Sequence, residues 1–388
     1  MRTSLPTLLA LALGGLTIGT TEFAAMGLLP LIASGFHESI PDAGWTITAY
    51  ALGVVVGAPL LTILAARLDR KTLLLCLMAF YSLANLASSF APSLGWLIAG
   101  RFLAGLPHGA FFGVGSVVGT HVAGREKRGQ ATSIMMAGLT VANLAGVPLV
   151  TWAGIALGWR LSYVGVAALG LITLATLWIQ APRVPVHGEA SVLKEMKALR
   201  SGRLWLAFAS AAIGFGGMFA VYSYVAPLIT DGAHLPLTAV PWVLSLFGLG
   251  MTIGVLLAGR FADKSLGATA VGGTLATAVV LLVIGLAGTV PAVAVAGMFA
   301  LGFVTQFFAL AIQNKLMDLS PAAPSLGAAL SHSALNTANA AGAWLGGLVL
   351  AAGWGQLAPS WVGLPLSLLG AVLYAAAVAF RRKAIPVK

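Results

Sequence analysis

Glu22 stands in an apolar segment running from about Leu5 to Ala33, with no basic residue near it in sequence. A carboxylate at membrane depth costs several kcal/mol, roughly 2.5–3.5 on insertion scales. Keeping it protonated is the least costly way to hold it there. An acid that gains and loses a proton inside an apolar span is what proton-coupled transport needs. The competing reading is a structural acid hydrogen-bonded to a neighbouring helix. Arg101 is the other charge inside an apolar span, and a guanidinium that keeps its proton must find acceptors. Either it biases Glu22 and serves a proton relay, or it anchors its helix to backbone carbonyls. A direct Glu22–Arg101 ion pair is not expected, because their estimated depths differ. His108 is an imidazole able to relay protons near neutral pH, or a packing residue held by a hydrogen bond.

Helical spacing gathers these groups onto faces. Gly15, Gly19, Glu22 and Met26 share one, and Arg101, Gly105, His108 and Phe112 share another. Phe215, Phe219 and Tyr222 form an aromatic face; Phe299, Phe303, Gln306, Leu310 and Gln313 form a second. His332, Asn336 and Asn339 make a polar stripe, for which interhelical hydrogen bonding is the plainer reading. Such faces suit a mostly apolar pocket with a few polar groups. Met26, Phe112, Phe219 and Tyr222 are candidate solute contacts, as are Phe303, Gln306, His332 and Asn336. The alternative for each aromatic is packing against lipid or core. The histidines and carboxylates show no metal-ligand spacing, and no nucleophile–base pair or phosphate loop is present, so no cofactor and no enzyme activity are expected.

The elements that position these residues follow from composition. Of 388 residues, 59% are hydrophobic and 8% charged, against about 25% charged in soluble domains. Mean hydropathy is +0.98. Apolar stretches of about 20 residues recur from end to end, predicting a polytopic α-helical membrane protein. Twelve spans are predicted, near 7–33, 45–66, 73–92, 95–119, 129–155, 159–180, 204–230, 238–261, 268–288, 291–314, 325–352 and 359–380. The single cysteine, Cys76, lies in one of them. The start resembles a signal peptide, but its apolar run is too long and holds Glu22, so it reads as an uncleaved first helix.

The net charge of +11 does not point to nucleic acid, because the basic residues sit in short clusters between spans. All but two of the 21 Lys and Arg fall on one side; Arg160 faces the other and Arg101 is inside. That bias predicts a cytoplasmic location for both termini and for the 181–203 link. The halves also repeat. Tyr50–Leu60 aligns with Phe247–Leu257 at an offset of 197, and Ala142–Gly146 with Ala338–Gly342 at 196. Six helices per half means parallel repeats. The expected organisation is a six-helix bundle over 1–180, a linker over 181–203 and a second six-helix bundle over 204–388.

On these motifs the chain resembles the major facilitator superfamily, most nearly the twelve-helix drug:proton antiporter branch and its arabinose and sugar efflux permeases. The first loop, Thr62–Lys71, is similar to the family's G-x-L-A-D-R-x-G-R-K signature, matching at Arg67, Arg70 and Lys71, with Ala66 where the usual Asp stands. Its second-half copy keeps Asp263 and Lys264. Arg101 and Gly105 resemble the fourth-helix R-x-x-x-G element. Gly138, Asn143, Gly146 and Pro148 resemble the fifth-helix antiporter signature, which reads Val147-Pro148 where Gly-Pro is usual. The resemblance implies that the loops latch the cytoplasmic faces and that the bend at Pro148 seals against leak. Close packing through small residues is the first reading of Gly138, Asn143 and Gly146, and interhelical bonding that of Asn339. The implied function is proton-coupled export of a small organic solute (sugar, nucleoside or amphipathic drug) across a bacterial inner membrane, by a monomer whose partners are solute, protons and lipid. The open alternative is an uncoupled facilitator or a proton-coupled importer.

Overall fold

The computed structural model describes residues 4–64, 68–184, 201–320 and 324–379. Arg2, Arg67, residues 185–200 of the link and the basic residues from Arg381 onward lie outside the described residues. The described chain is helical throughout, with no strand among the described residues. The first six long segments are α1 (Leu5–Phe36), α2 (Ile40–Leu64), α3 (Arg70–Ser89), α4 (Leu94–Ala123), α5 (Arg128–Val141 continuing through Val147–Leu157) and α6 (Trp159–Gln180). The last six are α7 (Gly202–Gly214 continuing as Gly216–Tyr222), α8 (Val240–Lys264), α9 (Leu266–Ala287), α10 (Pro291–Asp318), α11 (Pro324–Ala351) and α12 (Ala358–Ala379). Ten of these segments are long and apolar enough to cross a membrane by length and composition. The remaining two, α2 and α11, have matching lengths of 25 and 28 residues. The protein is therefore an all-α polytopic membrane protein.

Where the helices depart from the predicted spans, local chemistry explains it. Helix α2 begins earlier than predicted, because Ser39 and Asp42 bond each other's side chain across its first turn, a capping arrangement the hydropathy pattern does not register. Helix α5 has its irregular turn just ahead of Pro148. It carries a π turn at Ala142–Gly146, immediately before Val147 and Pro148. Proline lacks the N–H that would bond Leu144, and the wider turn absorbs the defect. The predicted span 204–230 is interrupted at Phe215 and at Ser223–Tyr224, then continues as Val225–Pro227 and a π turn at Leu228–Gly232. Pro227 withdraws the donor that Ser223 would need. Asp69 caps α3, accepting from the Lys71 and Thr72 amides at 3.0 and 3.3 Å. The Thr72 hydroxyl bonded to it, above all, holds this carboxyl below its usual range.

The packing partners repeat with a step of six helices. Helix α2 packs on α4 as α8 packs on α10; α3 on α6 as α9 on α12; α1 on α5 as α7 on α11. The main contacts between the first six helices and the last six are α2 with α11 and α5 with α8; smaller ones join α1 to Val225–Pro227 and to α8, and α4 to α11. The same glycine seam closes both tight pairs. A Cβ at Gly53, Gly57 or Gly105 would overlap the carbonyl oxygens of Phe102, Leu106 and Tyr50 respectively. Their counterparts Gly250, Gly254 and Gly302, each 197 residues on, stand against the carbonyls of Phe299, Phe303 and Phe247. Small residues let helices approach to backbone contact, which is where membrane helices gain their packing.

Gly53→Val and Gly250→Val are each expected to destabilise the protein by about 1–3 kcal/mol, as overpacking does. Nothing lies within 4 Å of a Cβ at Gly113, and Gly113→Ala should be neutral or stabilising by up to about 1 kcal/mol. Unfolding midpoints in detergent measure all three.

Candidate functional site

Arg101 is wholly buried, 0% exposed. Its Nη1 donates to Thr21 Oγ1 at 3.0 Å and to Asn85 Oδ1 at 3.4 Å, and its Nη2 donates to the Thr21 carbonyl at 2.8 Å. Thr21 in turn donates its hydroxyl to Asn85 Oδ1 at 2.7 Å. Asn85 donates to the Tyr81 carbonyl at 2.9 Å, and the Tyr81 hydroxyl donates to the Thr17 carbonyl at 2.8 Å. The guanidinium carbon lies 4.4 Å from the Tyr50 ring centroid and 5.3 Å from that of Tyr163. Five helices, α1, α2, α3, α4 and α6, thus surround one cation with neutral oxygens and aromatic faces, which is how a buried guanidinium is held without a counter-ion.

Glu22 forms no salt bridge with Arg101, whose Nη1 and Nη2 donate to neutral acceptors while its Nε has no hydrogen-bond partner among the described residues. The carboxylate is still within electrostatic reach of Arg101, Tyr50, Tyr81 and Tyr222, and it keeps 7% of its surface accessible. Met26, one turn on, is fully buried. The face bearing Gly15 and Gly19 rests on Met135, Leu139 and Ala142 of α5. Glu22 therefore sits at the junction of the Arg101 cluster, α5 and the last six helices. Phe23 meets Tyr222 edge-on at 5.7 Å, and Tyr222 stacks on Phe247 at 4.0 Å.

His108 continues the network toward the other half. Its Nδ1 and the Tyr50 hydroxyl are 3.1 Å apart. Its ring meets Phe112 at 5.3 Å, and Phe112 stacks on His332 of α11 at 5.6 Å and 4°. Asn336, one turn along α11, donates to the His332 carbonyl at 3.1 Å. Phe219 is buried against Gly342 of α11. The structure thus brings the buried Glu22, Met26, Arg101, His108, Phe112, Phe219, Tyr222 and Asn336, with the half-buried His332, to the region where α1, α4, α7 and α11 meet.

It does not bring Phe303 and Gln306 there. Phe303 stacks on Phe299 and meets Phe307 on its own helix, and Gln306 lies against Gly254. Both belong to the α8–α10 seam. Helical spacing placed them on one face but could not say which neighbour that face meets. Gly138 and Gly146 contact Ala12 and Thr20 of α1, so this stretch is a close-packing seam. Asn143 donates to the Leu139 carbonyl at 3.0 Å, and its own carbonyl abuts Gly248 of α8. Pro148 is buried in the same helix, and Asn339 is buried on α11. Arg70, Lys71, Asp263 and Lys264 stand at the helix ends of one edge of the bundle, where no ion pair among the described residues joins the two loops. The sequence reading missed Tyr50, Tyr81 and Asn85. Polar residues at the turn spacing of α3, with one lone tyrosine on α2, were the available signal.

Comparison with known proteins gives four findings. A family model described as Major Facilitator Superfamily matches residues 11–264. The chain is 40% identical over 348 residues, 90% of each chain, to "Inner membrane transport protein YdhP" of Escherichia coli (strain K12). It is 31% identical over 384 residues, covering 96% of this chain and 95% of the relative, to a "Chloramphenicol resistance protein" of Streptomyces lividans. In fold, it aligns with a crystal structure of the nucleoside transporter NupG at a TM-score of 0.75 and 14% identity, covering 96% and 99% of the two chains.

Arg101→Lys keeps the charge but loses the fork that reaches Thr21 and Asn85 together. It should lower stability by about 1.5–3 kcal/mol, the worth of hydrogen bonds to a charged group. Tyr50→Phe keeps the ring over Arg101 and loses only the His108 bond, for about 1 kcal/mol. Unfolding in detergent should rank them in that order.

Proposed function

This chain belongs to the Major Facilitator Superfamily, and within it we propose that it is a proton-coupled exporter of a small organic solute. That it is a membrane transporter follows from the family and its relatives. The observation that carries the coupling is Glu22: an acid inside the membrane with no salt-bridge partner among the described residues, next to a cation whose Nη1 and Nη2 donors are committed elsewhere. An intramembrane acid is costly, and one without a fixed partner can change its protonation without breaking a structural bond.

The proposed cycle has four steps. With the bundle open outward, Glu22 takes a proton from the acidic side. The neutral form permits closure and reopening inward. There the proton leaves and solute binds in the zone between Glu22, Tyr222 and His332. Solute binding then favours the return, which requires that it bind the two states with different affinity. Two inter-half contacts support alternating closure around Glu22. Near one end the Tyr224 hydroxyl sits between Gly44 and Gly347 while donating to the Ala343 carbonyl at 2.8 Å. Toward the other end, Phe112 stacks on His332. The name of YdhP supports an inner-membrane location; the basic residues of the α2–α3 and α8–α9 edge support a cytoplasmic position for that edge. The units that move are proposed to be residues 1–180 and 204–388, joined by 181–203.

The test is solute movement in proteoliposomes under an imposed pH gradient. The name of the Streptomyces relative makes chloramphenicol the first solute to try. Wild type should accumulate solute against its gradient. Glu22→Gln should abolish that accumulation while retaining solute binding. Unchanged pH-driven transport in the mutant would sink the assignment, and transport that ignores the pH gradient in wild type would indicate a facilitator.

A further inference from the structure

The buried amides are satisfied to different degrees: Asn143 of α5, like Asn336 of α11, bonds its own helix through nitrogen and leaves its oxygen without a partner among the described residues. In the first half Asn85 is fully engaged: its oxygen accepts from Thr21 and Arg101, and its nitrogen donates to Tyr81. On α11, neither the oxygen nor the nitrogen of the Asn339 side chain has a hydrogen-bond partner among the described residues, though the residue is only 1% exposed. Asn336 is 3% exposed, and its side-chain oxygen is also without a partner. Buried polar groups left unpaired are rare in native proteins, and each calls for an explanation. An amide also has the alternative of bonding its own helix, as Asn143, the counterpart of Asn339 in α5, does through Leu139. Asn339 does not take it.

The direction of these groups is fixed by their neighbour. His332, Asn336 and Asn339 follow one another at i, i+4 and i+7 and so share a face. His332 on that face stacks on Phe112 of α4. The His332 end of the stripe therefore faces the first six helices, beside Phe112 and His108, while Gly342 and Gly346 next to Asn339 pack on Phe219, Ala220 and Tyr224. Two further turns of that face, at Ala343 and Gly347, meet Tyr224. The chemistry on offer is neutral. Two amides supply donor and acceptor together, an aromatic stack stands beside them, and among the described residues every charged side chain of α7–α12 lies toward a helix end.

We infer that Asn336 and Asn339 are the hydrogen-bond contacts of an uncharged solute bearing hydroxyl or amide groups, seated beside the Phe112–His332 stack. The inference rests on the transporter reading above and deepens it. Solute recognition falls to the neutral stripe of α11, and charge handling to Glu22 and Arg101 in the first half. An organic cation, which a lone buried acid would also suit, is not the expected cargo.

The experiment measures binding to purified full-length protein by calorimetry, using uridine and L-arabinose as neutral probes and tetraphenylphosphonium as the cationic one. Wild type, Asn336→Leu, Asn339→Leu and Glu22→Gln are compared, with melting temperature and proton release recorded for each. Binding of a neutral probe, at least tenfold weaker in both leucine variants, is the expected result. Because its amide has no protein partner, Asn339→Leu should leave the melting temperature unchanged or raised; a clear fall would mean a structural partner and overturn the inference. It is equally overturned by unchanged neutral-probe binding in the leucine variants, by binding of tetraphenylphosphonium alone, or by no binding of either neutral probe. Wild-type binding without proton release would count against the coupling by Glu22 and leave this inference standing.

Discussion

A guanidinium sealed inside a membrane bundle is the constraint around which the first six helices are arranged. Arg101 cannot shed its proton, and hydrocarbon offers it nothing. Its surroundings must therefore supply oxygen on one side and ring faces on the other. Thr21 supplies two of the oxygens and Asn85 a third; Tyr50 and Tyr163 supply the faces. Each partner comes from a different helix apart from the two Thr21 atoms, so the cation fixes the mutual placement of α1, α2, α3, α4 and α6. The glycine seam between α2 and α4 serves the same end. Only with the backbones in contact at Gly53 and Gly105 does the Tyr50 ring come over the guanidinium.

The repeat sharpens this point by showing what the second half lacks. At the 197-residue offset, Glu22 corresponds to Phe219, Tyr50 to Phe247, Arg101 to Met298 and His108 to Thr305. Backbone packing and its glycines are kept, while the charged and titratable groups are replaced by apolar ones or a hydroxyl. The second bundle therefore reaches the same helix pairing with no buried cation to accommodate. A network retained in one copy alone, at the cost of burying ions, has to be explained by something other than folding.

The helical architecture was legible because hydropathy and the distribution of Lys and Arg are local and strong. The repeat was legible too, from short matches such as Tyr50–Leu60. The breaks were not. At α5 the sequence announced a bend through Pro148, but the chain distributes the missing donor into a π turn upstream. At α7 a mostly apolar stretch concealed two interruptions. Among the site residues, Glu22 and Arg101 stood out because a charge in an apolar span is conspicuous. Tyr50, Tyr81 and Asn85 did not, because an ordinary polar residue in a helix acquires meaning only from a partner on another helix. Phe303 and Gln306 failed for the complementary reason: periodicity groups residues on a face without saying what the face touches.

Commitment of the Arg101 Nη1 and Nη2 donors to neutral acceptors also bears on how a nearby acid can work. Had Glu22 closed a bidentate pair with Arg101, each protonation event would have had to break a buried ion pair, leaving one charge unpaired at a cost of about 3–5 kcal/mol. With the arginine held instead by Thr21 and Asn85, its own hydrogen bonds need not change when Glu22 gains or loses a proton. What changes is the electrostatic field felt by groups within reach of the carboxylate, among them Tyr222 on α7. Tyr222 is stacked on Phe247 of α8 and touches Phe23 of α1, so it lies where the first six helices meet the last six. A charge appearing or vanishing at Glu22 is thus applied at the seam between the halves, against a background that Arg101 keeps fixed. That separation, a permanent charge secured for structure beside a changeable one left free, is the physical basis of the proposed coupling through Glu22.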